Sequence, residues 1–183
     1  MKVIETKLAG ALVFEPKVFG DDRGFFMETW NYQRYKGAGL DVKFIQSNLS
    51  KSTKGVLRGL HFQYPNPQGK LVQILTGEVY DVAVDVRQGS PTFGQWHGEI
   101  LSGDNNKQFY IPEGFAHGFC VLSESAIFSY MCTNVYDVGV ENSLLWNDPN
   151  IAIDWPIENP ILSEKDKNGI TLDKINPLKL PKY

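Results

Sequence analysis

The chain has 183 residues, 42% of them hydrophobic and 21% charged, with a formal net charge of -3. This fits one domain, residues 1–183, with enough apolar material to bury its own core without disulfides or metal. The slightly acidic balance excludes nucleic acid as the main partner, but leaves room for a few Arg and Lys around one anionic ligand.

In chain order, the N-terminal Met1-Lys2-Val3-Ile4-Glu5 opens no long apolar run, and none occurs later. Neither a signal peptide nor a membrane span is expected, and the expected compartment is the cytoplasm. A short helix is expected at 31–37, capped by Asn31 and ended by Gly37 and Gly39. Strands follow at 43–50, 56–63, 70–76, 78–87, 95–101, 107–112, 117–122 and 126–136. Within 80–87, Val82, Val84 and Val86 share one face, and Asp81, Ala83, Asp85 and Arg87 the other. Thr76-Gly77-Glu78 and Gly103-Asp104-Asn105-Asn106 read as turns. Cys120 and Cys132 lie in apolar stretches and read as reduced core thiols. After residue 140, Pro149, Pro156, Pro160 and Pro177 mark irregular chain packed on the body, with one helical turn capped by Ser163. Many short strands and few helices predict a mainly β sandwich or barrel. Two sheets closing as a jelly roll would leave a ligand pocket between them.

Two segments carry chemistry-bearing side chains. The first is Gly55-Val56-Leu57-Arg58-Gly59-Leu60-His61-Phe62-Gln63 with Gly69-Lys70-Leu71-Val72, and the second is Ile111-Pro112-Glu113-Gly114-Phe115-Ala116-His117-Gly118-Phe119. Their layout resembles the two motifs of the cupin superfamily, which implies a jelly-roll barrel. Metal-binding cupins carry His-x-His and a Glu in the first motif. Here the second His is Gln63, a poor transition-metal ligand, and the Glu is not at its usual spacing. No bound metal is expected. His97 has no motif around it and is expected at the surface.

Such a barrel can still move protons. Removing a proton beside a ketone needs a base that titrates near neutrality, for which His is suited, and a cation or donor for the enolate, for which Lys is suited. Inversion needs a second acid on the opposite face, and a buried Tyr fits.

The sequence resembles the dTDP-4-dehydrorhamnose 3,5-epimerase family over nearly its whole length. The stretches that carry the likeness, in order, are Asp22-Arg23-Gly24-Phe25-Phe26-Met27-Glu28, Gln46-Ser47-Asn48, Val56 to His61, Gln68 to Val72, Pro112 to Phe119, Tyr130, Glu141, Trp146-Asn147-Asp148-Pro149 and Leu162 to Asp166. The resemblance implies His61 as base, oriented by Asp166, with Lys70 at the C4 oxygen and Tyr130 as proton donor. Tyr136 is the alternative acid. It further implies that His117 lines the sugar pocket, and that Arg58, Gln46 and Asn48 meet the pyrophosphate or sugar. Arg23, Phe26 and Glu28 would hold the thymidine, often from a partner subunit, with Phe19 as a nearby stacking ring. Glu141 and Lys165 match further ligand-contact positions. No cofactor is implied, and a homodimer with shared sites is. One departure stands out: Tyr130 is followed by Met131, where the family usually has Lys. The rival readings are an epimerase acting at one carbon, or on another nucleotide-linked ketosugar, and a sugar-binding cupin without turnover. A metal-dependent cupin would need the missing ligands.

Overall fold

The computed structural model describes residues 1–183. The chain runs through β1 (Lys2–Glu5), β2 (Leu12–Glu15), β3 (Val18–Asp21), β4 (Gly24–Met27), helix α1 (Tyr32–Gly37), β5 (Gln46–Thr53) and β6 (Leu57–Gln63). It continues through β7 (Lys70–Thr76), β8 (Glu78–Asp85), β9 (Trp96–Ser102), β10 (Gln108–Ile111), β11 (Phe115–Val121), β12 (Ser125–Cys132), β13 (Glu141–Ser143) and helix α2 (Glu164–Lys167). One sheet has six strands in the order β1-β2-β10-β7-β12-β5, and the other has five in the order β13-β6-β11-β8-β9. The ladders within both are antiparallel. This is the cupin-type jelly roll, mainly β with short helices. No helix is long and apolar enough to cross a membrane.

Period-two alternation explains how the sheets close. Val72 and Ile74 of β7, Phe109 and Ile111 of β10, and Ala126 and Phe128 of β12 face Ala83, Phe115 and Phe119 of the other sheet in one core. The outward faces are covered as well. Val82, Val84 and Val86 pack beneath Ile151, Leu172, Ile175 and Leu180 of the irregular C-terminal segment. Tyr35 of α1 and Leu40 cover Phe14, Leu71 and Tyr110 on the outside of the six-stranded sheet. The polar face of β8 is therefore the barrel interior, where Asp81 and Asp85 are fully buried.

All eight expected strands form, with shifted ends. The strand expected at 43–50 begins at Gln46, because Phe44 turns its ring onto Trp30, with centroids 4.7 Å apart, instead of joining a ladder. The strand expected at 126–136 stops at Cys132, where Thr133 hydrogen-bonds Gly69 and the chain leaves the sheet. The helix forms with Asn31 accepting from the Arg34 N–H, and Ser163 caps α2 by accepting from Asp166. Strands β1 and β2 pair with each other, and β3 with β4 as a separate hairpin. Cys120 and Cys132 are free and buried. His97 is not the surface residue expected. It stands opposite Ala83 on the inner face of β9, its ring 5.6 Å from Phe109.

Candidate active site

A cavity of about 530 Å³ opens between the sheets, lined by Arg58, His61, Lys70, His117, Tyr130, Glu141, Lys165 and Asp166. Phe119 and Phe128, stacked at 4.1 Å, form its floor. His61 on β6 and His117 on β11 are cross-strand neighbours in the five-stranded sheet. Lys70 on β7 and Tyr130 on β12 reach in from the six-stranded sheet. The side chains proposed for the two faces of the reaction thus come from opposite walls.

Local chain geometry makes this possible. Gly59 has φ +130°, and a Cβ there would meet the Gly118 Cα at 2.5 Å. Only paired glycines let β6 and β11 cross so closely beside His61 and His117.

Each histidine is backed by a carboxylate. His61 Nε2 lies 2.6 Å from Asp166 Oδ1, while Oδ2 of Asp166 accepts from the Ser163 hydroxyl at 2.7 Å. Burial pushes the Asp166 carboxyl up, but these hydrogen bonds outweigh it and hold it below the usual carboxylate range. On the other side of His61, Nδ1 is 3.9 Å from Glu141, which accepts from Lys165 at 2.9 Å and from the Tyr136 hydroxyl at 3.1 Å. His117 Nε2 meets both oxygens of Asp81, at 2.9 and 3.0 Å. Burial lowers the His117 pKa against the pull of that carboxylate, so the ring is neutral and donates Nε2–H to Asp81. Burial also draws the Lys70 ammonium below the ordinary lysine value, opposed by the charges of Asp81 and Glu141. It raises Tyr130, which keeps its phenolic proton.

Asp81, which backs His117, is a group that pattern reading did not assign. Two carboxylates stand inside the run Val79 to Val86, and a buried charge needs a partner. Asp85 finds Arg87, Ser90 and Thr92 close by in sequence, whereas Asp81 has His117 across the ladder. Gln63, at the lost metal-ligand position, hydrogen-bonds only backbone groups of Asn66, Val135 and Asp137. No group of three His, Cys, Asp or Glu side chains is placed to hold a metal ion.

Other expected contacts lie outside the cavity. Gln46 spends its amide on Asn48 Oδ1 at 3.0 Å and on the Tyr136 N–H at 2.8 Å. Asn48 donates to the Cys132 sulfur at 3.6 Å. Arg23, Phe19 and Phe26 surround a separate hollow at the β3–β4 hairpin, and Glu28 pairs with Arg34 at 3.3 Å. Met131 points to the outer side of β12 and packs against the cluster around Leu71 and Phe14, away from Tyr130.

The family model for dTDP-4-dehydrorhamnose 3,5-epimerase matches residues 5–174. The dTDP-4-dehydrorhamnose 3,5-epimerase of Shigella flexneri is 58% identical over 171 residues, 92% of this chain and 94% of that one. Among solved structures, the dTDP-6-deoxy-D-glucose-3,5-epimerase of Legionella pneumophila, in complex with dTDP-4-keto-L-rhamnose, is 52% identical with a TM-score of 0.97, covering 100% of this chain and 98% of that one. A 3'-monoepimerase from Streptomyces bikiniensis, in complex with dTDP-quinovose, is 36% identical with a TM-score of 0.90, covering 97% and 92%. The chain belongs to the dTDP-4-dehydrorhamnose 3,5-epimerase family and is an isomerase.

Proposed function

We propose that the protein inverts both carbons flanking the C4 ketone of dTDP-4-dehydro-6-deoxy-D-glucose, giving dTDP-4-dehydro-L-rhamnose, and does so as a homodimer with no metal or cofactor. The observation that carries the mechanism is the pairing of His61 with Asp166 at 2.6 Å in a cavity that Tyr130 and Lys70 enter from the opposite sheet. Asp166 engages Nε2, which leaves Nδ1 as the basic nitrogen of a neutral His61. Nδ1 takes the proton beside the ketone, and the C–H electron pair moves into the carbonyl. The resulting enolate oxygen is held by the Lys70 ammonium. The new imidazolium lies between two carboxylates, with Glu141 3.9 Å from Nδ1. Tyr130 then delivers its phenolic proton to the opposite face of the same carbon. At each centre one proton enters His61 and one leaves Tyr130, and exchange with solvent restores both. Arg58 and Lys165 offer cationic contacts to the pyrophosphate, and His117 a neutral wall to the sugar.

The test is incubation with dTDP-4-keto-6-deoxyglucose in heavy water, followed by NMR at both flanking carbons, for the wild type and His61→Ala. Deuterium with inversion at both carbons, abolished in the variant, is the expected result. Inversion at one carbon would favour a monoepimerase, the reading supported by the likeness to the Streptomyces bikiniensis enzyme. Binding without deuterium uptake would leave a sugar-binding protein.

A further inference from the structure

Gln63 ends β6 with only 4% of its surface exposed, and its amide is spent on backbone. Nε2 donates to the carbonyls of Asn66 at 3.0 Å and Val135 at 3.2 Å, and Oε1 accepts from the Asp137 N–H at 2.9 Å. Between those last two contacts stands Tyr136, whose own N–H donates to Gln46 at 2.8 Å. Gln46 belongs to the six-stranded sheet and Gln63 to the five-stranded one. Three successive backbone groups, the carbonyl of 135 and the N–H groups of 136 and 137, are therefore held from both walls of the barrel. The loop's apolar side chains Val135 and Val138 are exposed, so they do not anchor it. Tyr136 is itself about half exposed, at 52%, and lines the cavity at its mouth with its hydroxyl on Glu141 at 3.1 Å. A Met would fill the space of Gln63 without burying an amide, so packing alone does not account for this residue.

We infer that Gln63 is a positioning residue for substrate binding: by pinning the peptide groups on either side of Tyr136, it fixes that ring as a wall of the cavity mouth. The inference rests on the reading of this cavity as the nucleotide-sugar site. Gln63 touches no reacting atom, so its loss acts on ground-state and transition-state binding alike and appears in KM.

The test is a double-mutant cycle of Gln63→Met, Tyr136→Ala and the double variant, with kcat and KM for dTDP-4-keto-6-deoxyglucose and the thermal midpoint of each. Gln63→Met should raise KM about tenfold with kcat nearly unchanged, the scale of one lost anchoring hydrogen-bond set. The double variant should then be no worse in KM than Tyr136→Ala alone. Additive increases in KM, or an effect confined to kcat or to the thermal midpoint, would overturn the proposal. If Gln63→Met does not fold, Gln63→Glu goes through the same cycle, since it keeps the acceptor for Asp137 and loses both donors. If the wild type does not turn over this substrate, the proposed function fails instead. Hydrogen exchange at the amides of 136 and 137 then decides on the clamp, and protection unchanged by Gln63→Met would overturn it.

Discussion

The ligand contacts implied by the resemblance fall in two regions that are built differently. In the cavity between the sheets, polar groups are partnered within the chain: His61 with Asp166, His117 with Asp81, and Lys165 with Glu141. In the β3–β4 hairpin, Phe19, Phe25 and Phe26 are 53%, 64% and 69% exposed, and Arg23 pairs only with Asp21, two residues away. A two-stranded ribbon is marginal alone, and large aromatic side chains left in water mark a surface that meets something. The groups proposed for proton transfer therefore all come from one chain, whereas the hairpin lacks a cover. A second copy, as proposed, would bring its hairpin to the nucleotide end of the neighbouring cavity. Mutations in the two regions should fail differently.

The largest effect is expected inside the cavity at Tyr130, where one substitution should separate the halves of the reaction. In Tyr130→Phe, proton removal by His61 persists, but reprotonation from the far face loses its donor. Inverted product should fall by about a hundred- to ten-thousand-fold, the usual cost of a general acid. Substrate should still acquire deuterium beside the ketone, as read in an NMR time course in heavy water. Equal loss of exchange and inversion would hand the acid role to Tyr136 or a water.

Lys70→Met tests whether the cavity holds its charge at a cost. Activity should fall by about a hundred- to a thousand-fold, through loss of enolate stabilisation. Stability should rise. Burial lowers the Lys70 pKa, so the folded chain binds this proton less tightly than the unfolded chain and the charged form is destabilising at neutral pH. The thermal midpoint of the variant should therefore exceed that of the wild type at pH 7. The gap should close as pH rises through the lowered pKa toward the free lysine value of about 10.4. Over the same range the wild type should lose activity, as the ammonium is neutralised. A variant less stable than the wild type at pH 7 would show that Lys70 is a net support for the cavity.

A smaller effect of another kind is expected from the hairpin. Phe26→Ala should raise KM about tenfold with kcat nearly unchanged, since it removes binding area but no reacting group. Light scattering at falling concentration should show a weaker dimer. A fall in kcat with unchanged KM would break the distinction between the regions.

Much of the cavity was legible in sequence because it lies on long strands. Val72 and Ile74 alternate with Leu71 and Gln73, and the motif histidines fall on strands whose period places them on one wall. β1, β2, the β3–β4 hairpin and β13 were not among the expected strands, since three or four residues show little alternation. β10, equally short, stood out because it leads into the Pro112 motif. The contact between His61 and Asp166 spans 105 residues, so no local pattern encodes it, and only the family resemblance pointed to it. Gln46 and Asn48 were expected at the ligand, yet their side chains bind each other and their neighbours, because the loop carrying Tyr136 closes over that end of β5. His97 was misplaced because an isolated polar residue in a strand looks the same whether its face meets water or the barrel interior.

Met131 sharpens the comparison from the side where least should happen. It replaces the Lys usual in the family directly after the proposed acid, so sequence adjacency alone makes it a suspect for altered stereochemistry. Alternation sends consecutive strand residues to opposite faces, and Met131 packs outside the sheet near Leu71 while Tyr130 points inside. Met131→Lys should therefore leave kcat, KM and the ratio of singly to doubly inverted product within about twofold of the wild type. The Lys stem can lie along the same apolar surface with its ammonium in water, so stability should change by no more than about 0.5 kcal/mol. Rate measurements with NMR analysis of product at both carbons check this. A changed product ratio would mean that the outer face of β12 is coupled to the cavity through the strand, and the boundary between catalytic interior and packing exterior would have to be redrawn at Tyr130.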